Sequence, residues 1–234
     1  METPLRVATY NIRKALGNDR RRDPERTLRV IEALDADIVV LQEADMRLGL
    51  RPPALPPELF EGHSLRPVVF THGRDSLGWH GNAILIREGI KVLATAHIDL
   101  PGLEPRGAVM ADLCVRGREL RVVGTHLGLI RASRRRQLAA LRAFASPTQI
   151  SARLVAGDFN EWSRLKHLAG LGPDFRVLHS PPTFHARRPM AALDRIALTD
   201  DFSLRAIAAV LTPEARRASD HLPLVADLIL KGTS

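Results

Sequence analysis

Cysteine, lysine and aromatic residues are all scarce in this chain, and no apolar run is long. Cys114 is the only cysteine among 234 residues, so an intrachain disulfide is excluded. It lies in the apolar run 109–115, where a buried, inert thiol is expected. Aromatic residues make up 4% of the chain, too few for the stacking platform of a single-strand nucleic-acid binder. No window approaches the ~18–20 uninterrupted apolar residues that a membrane-spanning helix needs. The opening Met1-Glu2-Thr3-Pro4 runs straight into a strand-like segment with no basic-then-apolar leader. A soluble, cytoplasmic protein is the expectation.

Only Lys14, Lys91, Lys166 and Lys231 are lysine, so nearly all of the 34 basic residues are arginine, and against 26 acidic ones the formal charge is +8. A coding bias toward arginine accounts for this composition as well as a polyanionic partner does, guanidinium being the group that grips phosphate bidentately. The arginines cluster at Arg20-Arg21-Arg22, at Arg131 and Arg134-Arg135-Arg136, at Arg187-Arg188 and at Arg216-Arg217. For the 131–136 group a solvated helix face is the plain alternative to a substrate-facing rim.

What the chain has in quantity is apolar residues, 45% of the total, enough for one large core. Five polar motifs each close an apolar run: Tyr10-Asn11, Leu41-Gln42-Glu43, Gly124-Thr125-His126-Leu127, Gly157-Asp158-Phe159-Asn160 and Ser219-Asp220-His221. A site assembled from residue 11 and residue 221 needs both ends of the chain folded together, which predicts one domain over residues 1–234.

Residues 5–10 read as a buried strand, and Asp23-Pro24-Glu25 opens a helix with Asp23 as N-cap and Pro24 in the first helical position. A second strand over 37–41 delivers Glu43. The proline-rich stretch 47–64 reads as a loop with a helical turn. Strands are expected near 66–71, 82–87, 90–99, 106–115 and 119–125, a helix over 131–145, and a strand over 152–156. A short helix near 162–170 and strands near 174–178, 193–198, 203–210 and 223–229 complete the chain. Early strand–helix alternation with interspersed hairpins predicts an α/β (α+β) fold of mixed sheets with helices outside, in two similar halves.

Chemically, the motifs supply three carboxylates, three carboxamides and two imidazoles, a set that can hold a hard cation, orient a water and move protons. Asn11 and Glu43, ending neighbouring strands, make a sparse oxygen site suited to Mg²⁺, which keeps several of its waters. In extended backbone Asp158 and Asn160 point to one side while Phe159 returns to the core. His126 closes an apolar strand and needs a polar partner or a catalytic role. Taken singly, each motif has a structural alternative: a solvated glutamate, an Asx turn, a solvated loop histidine.

The ordered set Asn11, Glu43, His126, Asp158-x-Asn160, Asp194 and Asp220-His221 resembles the endonuclease/exonuclease/phosphatase superfamily, which includes DNase I-like nucleases, sphingomyelinases, inositol-polyphosphate phosphatases and deadenylases. Supporting phrases are Gly81-Asn82-Ala83-Ile84-Leu85-Ile86, Glu104-Pro105-Arg106-Gly107-Ala108 and Leu193-Asp194-Arg195-Ile196. The resemblance implies a four-layered sandwich, two mixed β-sheets face to face with helices outside. It implies Mg²⁺, with Mn²⁺ as the alternative, held by Asn11 and Glu43 with help from Asp220. Asp158 would activate the attacking water and Asn160 place it. His221 would contact the scissile phosphate, oriented by Asp194. His126 would stabilise the transition state or protonate the leaving oxygen, and Arg106 is a candidate phosphate contact. His126 points toward the DNase I, sphingomyelinase and deadenylase side. Where DNase I-like members carry an acidic partner for this histidine, Trp79-His80-Gly81-Asn82 offers no carboxylate.

The expectation is therefore a Mg²⁺-dependent phosphodiester hydrolase, nuclease-type first. A hydrolase of a lipid head group or small phosphorylated molecule is the alternative, and a catalytically inactive phosphate-binding module the third reading. A nucleic acid and an anionic membrane surface are both candidate partners, since a cationic rim suits either.

Overall fold

Alternation along the first two strands decides how the layers stack. In β1 (Thr3–Asn11) and β2 (Ile38–Gln42), Leu5, Val7, Ile38 and Val40 enter one core, while Ala8, Tyr10, Val39 and Leu41 enter another. Side chains two apart share a face of a strand, so a strand buried on both faces must separate two cores. The structure, a computed structural model, describes residues 2–46, 51–71, 76–146, 149–162 and 165–232.

The remaining strands are β3 (Leu65–Pro67), β4 (Ala83–Arg87), β5 (Lys91–Leu100), β6 (Arg106–Val115), β7 (Arg118–His126), β8 (Arg153–Asp158), β9 (Arg176–Val177), β10 (Asp194–Leu198), β11 (Phe202–Ala209) and β12 (Leu224–Leu230). They form two six-stranded sheets, ordered β11-β12-β1-β2-β4-β3 and β5-β6-β7-β8-β10-β9. Each sheet contains one parallel pair, β1 with β2 and β7 with β8, flanked by antiparallel neighbours. The halves are thus built alike, as the sequence pattern implied.

Each parallel pair needs a crossover, and a helix supplies it. Helix α1 (Pro24–Glu32) packs Leu28 and Ile31, with Leu34 just beyond its end, on the outer face of the first sheet, and α2 (Arg131–Phe144) packs Leu138 and Leu141 on that of the second. Between the sheets lies the shared core, with Val7, Val40 and Ile84 facing Val109, Val122, Leu154 and Ile196. A Cβ built on Gly124 would stand 2.7 Å from Val40 Cγ1, so a glycine there lets the sheets approach.

The start of α1 follows its sequence signature, with the Asp23 carboxylate accepting from Arg26 N at 2.8 Å. A third helix, α3 (Pro213–Ala218), was absent from the sequence reading. It begins in the same way, Thr212 Oγ1 accepting from Ala215 N at 3.2 Å ahead of Pro213 and Glu214. Thr212-Pro213-Glu214 repeats the Asp23-Pro24-Glu25 pattern and was the signal to find it. Three expectations shorten, one of them the strand expected near 174–178, which spans only Arg176–Val177. The strand expected over 66–71 spans only 65–67, with one further backbone bond from Val68 N to Ile84 O at 2.8 Å. The helix near 162–170 is a 3-10 turn, Leu165–Leu171, followed by Gly172 at φ +105°. Among the described residues no helix is long and apolar enough to cross a membrane.

Candidate active site

The carboxyl ends of the two parallel pairs meet at one edge of the sandwich. Asn11 ends β1 and pairs in register with Gln42 of β2, one residue before Glu43; His126 ends β7 and pairs with Asp158 at the end of β8. The internal repeat therefore brings two equivalent strand pairs together, and ligands of open α/β sheets bind at such carboxyl ends.

Asp158 is the hub. Its Oδ2 accepts from Asn11 Nδ2 at 3.1 Å, which ties the two sheets across the site. His126 Nε2 lies 3.3 Å from the same oxygen, and His221 Nε2 lies 3.7 Å from it. Its Oδ1 accepts from the Asn160 backbone N at 2.9 Å, while Asn160 Nδ2 donates to Leu127 O at 2.8 Å. All five side chains are buried. A carboxylate approaching His126 thus comes from the adjacent strand β8, not from the earlier Trp79–Asn82 stretch. Asn160 sits at φ +50° and Glu43 at φ +52°, left-handed backbone that a non-glycine residue adopts only where surrounding structure enforces it.

His221 is held from behind. Its Nδ1–H donates to Asp194 Oδ2 at 2.8 Å, and Thr183 Oγ1 donates to the same oxygen at 2.5 Å. Burial of the ring works against its charge, but Asp194, Asp158 and Asp220 outweigh it and lift His221 from 6.5 to about 10. The surrounding carboxylates thus favour the charged form of the ring, whose Nε2 faces Asp158. Asp194 Oδ1 is buried with no hydrogen-bond partner. Asp220 is half-buried, with Arg13 Nε 3.4 Å from its Oδ2, and Ser219 Oγ donates to Asn11 O at 2.7 Å, joining the last motif to the first. Thr183, Arg13 and Ser219 went unassigned in the sequence, since nothing local marks a residue that acts through its neighbour.

The adjoining cavity, about 250 Å³, runs from His126 and Glu43 to Asp45, His80 and Arg106. The Lys14 ammonium is hydrogen-bonded to Glu43 Oε2; in an arginine-rich chain, one of only four lysines beside the first motif was the available sign. Asp45 is pushed up from 3.8 to about 6 by burial. Arg106 is buried, and its Nη2 donates to Glu104 Oε2 at 2.7 Å. His80 Nε2–H donates to Asp99 Oδ1 at 2.9 Å, while Arg51 Nη1 donates to His80 Nδ1 at 2.9 Å.

Two donor sets offer a place for a cation. Carboxylate and histidine ligand atoms of Asp158, Asp194 and His221 lie within 4.8 Å of one another. Asn11 and Glu43 supply hard oxygens beside them, and a cation, the Lys14 ammonium, already stands on Glu43. Both sets suit a divalent ion by donor chemistry.

Several clustered arginines clamp loops together. Arg134 is buried, donating to Leu129 O at 2.6 Å and Glu161 Oε2 at 3.1 Å. Arg217 Nε donates to Asp19 Oδ2 at 2.8 Å, Arg216 Nη1 to Arg187 O at 3.0 Å, and Arg187 Nη2 to Asn18 O at 2.6 Å. Trp79 is a packing residue, 4.2 Å from the His97 ring with Nε1–H on Asp99, whereas Trp162 is exposed.

The family model described as the endonuclease/exonuclease/phosphatase family matches residues 8–221, from before Asn11 through His221. The chain belongs to this family. The uncharacterised protein YbhP of Escherichia coli (strain K12) is 33% identical, the match covering 97% of this chain and 96% of the relative. Two solved structures of the family fold show its range. TDP2 of D. rerio, complexed with a single-strand DNA product, is 20% identical with a TM-score of 0.74, over 97% of this chain and 99% of that one. The mannosyl-6-phosphatase Bt3783 of Bacteroides thetaiotaomicron is 17% identical with a TM-score of 0.74, over 96% and 99%. At these identities the likeness is one of fold. A buried acidic and histidine cluster able to hold a divalent ion, in a chain of this family, supports a metal-dependent phosphoesterase.

Proposed function

We propose that this protein hydrolyses a phosphodiester by in-line attack of water, in the cytoplasm. The observation that carries the reading is the convergence of Asn11, His126, Asn160 and His221 on the single carboxylate of Asp158. In this scheme Asp158 accepts the proton of the attacking water, and Asn160 holds that water in line. The new phosphorus–oxygen bond forms as the ester bond breaks, and His126 gives the departing oxygen its proton. His221, charged and fixed by Asp194, donates to a non-bridging phosphate oxygen where negative charge builds up. Arg106 is the candidate contact for a second phosphate oxygen. Asn11, Glu43 and Asp220 would hold Mg²⁺, or Mn²⁺. The ion supplies charge neutralisation and a lowered water pKa when bound.

Several of the clustered arginines are committed to loop carbonyls and carboxylates, which leaves fewer of them to follow the backbone of an extended strand. The cavity of about 250 Å³ is below the roughly 300–1,000 Å³ usual for organic ligands. The small cavity favours the head group of a lipid, or another small phosphodiester, over an extended strand.

The test is hydrolysis of bis-p-nitrophenyl phosphate, phospholipid vesicles, RNA and plasmid DNA with Mg²⁺, Mn²⁺ or EDTA, wild type beside Asp158→Ala. Metal-dependent turnover reduced at least about 10³-fold in the variant is expected. Equal turnover by a folded Asp158→Ala protein would remove Asp158 from the chemistry. Efficient DNA or RNA cleavage with inert vesicles would reverse the substrate order.

A further inference from the structure

Five large apolar side chains stand in solvent on loops at the active-site end of the second sheet. They are Leu103 (82% exposed), Leu129 (62%), Ile130 (47%), Trp162 (61%) and Met190 (76%). The loops touch in series. Leu129 N donates to Glu104 Oε1 at 2.9 Å, joining the Leu103 loop to the Leu129–Ile130 loop. Asn160 Nδ2 to Leu127 O and Arg134 to Glu161 join that loop to the one carrying Trp162. The Trp162 ring lies 5.6 Å from Phe184, whose carbonyl accepts from Met190 N at 2.8 Å. Phe184 in turn lies 4.9 Å from the His221 ring. One apolar ridge therefore runs along the mouth of the site and ends against a catalytic side chain.

Exposed arginines interleave with the ridge: Arg131 and Arg135 beside Ile130, and Arg188 beside Met190. Helix α2 opens on Arg131, Arg134 and Arg135 with no acidic residue in its first turn. Cations at the positive end of a helix dipole are unfavourable within the isolated chain and are relieved by an outside anion. Exposed side chains that are apolar and cationic together match the interfacial layer of an anionic bilayer, where arginine meets phosphate and Leu, Ile, Met and Trp enter the acyl boundary. A nucleic-acid strand would use the arginines alone: four of the five apolar groups have no ring for a base to stack on.

We propose that this ridge is a docking face for an anionic phospholipid surface, which holds the active-site mouth against the lipid head groups. It rests on the phosphoesterase reading for its purpose, but its physical claim is separately testable.

The experiment uses the full chain carrying Asp158→Ala, so that binding is read without turnover, in a Trp79→Phe background that leaves Trp162 as the only tryptophan. Flotation with phosphatidylcholine vesicles, with and without phosphatidylglycerol, is measured alongside Trp162 emission. Binding to the anionic vesicles with a blue shift is expected. Leu129→Ser with Ile130→Ser should weaken it about tenfold, as should Arg131→Gln with Arg135→Gln. Serine at 130 improves the N-cap of α2, so folding is not at risk. In the otherwise wild-type enzyme the serine pair should leave turnover of bis-p-nitrophenyl phosphate unchanged. That soluble substrate needs no membrane, so its hydrolysis tests the phosphoesterase reading independently of docking. Failure to bind anionic vesicles overturns the proposal. So does vesicle binding indifferent to the serine pair and matched by a single-stranded oligonucleotide, which would mark an arginine-only face for nucleic acid.

Discussion

Replacing His221 by glutamine should lower stability most below pH 7 and progressively less as pH rises. The folded protein holds His221 at about 10 against 6.5 for the free side chain. The folded-state value is the higher one, so the protonated ring stabilises the fold. That contribution is complete below about 6.5, declines by about 1.4 kcal/mol per pH unit above it, and is gone beyond about 10. Between pH 7 and 9 the wild type should thus lose about 2.5 kcal/mol that the glutamine variant never had. Urea unfolding of both proteins at pH 6, 7, 8 and 9 in EDTA measures the difference, with groups common to both chains cancelling. The two stability curves should converge as pH rises, since the Asp194–His221 attraction is what disappears. Parallel curves would refute the assignment of a charged His221 held by Asp194, Asp158 and Asp220.

Gly157→Ala should abolish folding, because its Cβ would lie 1.9 Å from the backbone oxygen of Thr125 in the neighbouring strand, at φ +153°; soluble yield reads this out. Gly117→Ala, at φ +80° with no atom within 4 Å of the added carbon, is the control and should cost about 1 kcal/mol. Removing one partner of the buried Arg134–Glu161 pair by Glu161→Ala should cost about 3–5 kcal/mol in denaturant unfolding. Adding Arg134→Met should return part of that loss, and a simply additive double variant would show that the two charges do not depend on each other.

The sequence alone was enough for most of the fold, and the structure brings the residues of the polar motifs together at one edge of the sandwich. Alternating apolar strands, the Asp23-Pro24-Glu25 helix start and the repeated strand–helix–strand pattern follow from local periodicity and capping, and so survive into the structure. The five motifs were visible because a polar residue closing an apolar strand is conspicuous one strand at a time. What the chain does not display locally is pairing between distant residues. Only the tertiary structure set Asn11 on Asp158 across two sheets, Thr183 behind Asp194, and the Lys14 ammonium on Glu43. It also turned arginines that looked like a substrate rim into clamps on loop carbonyls, since a guanidinium's partner is fixed by packing and not by its neighbours in sequence. The apolar ridge had the same cause: Leu103, Leu129, Ile130, Trp162 and Met190 lie on separate loops and become one surface only when β6, β7, β8 and β10 lie side by side.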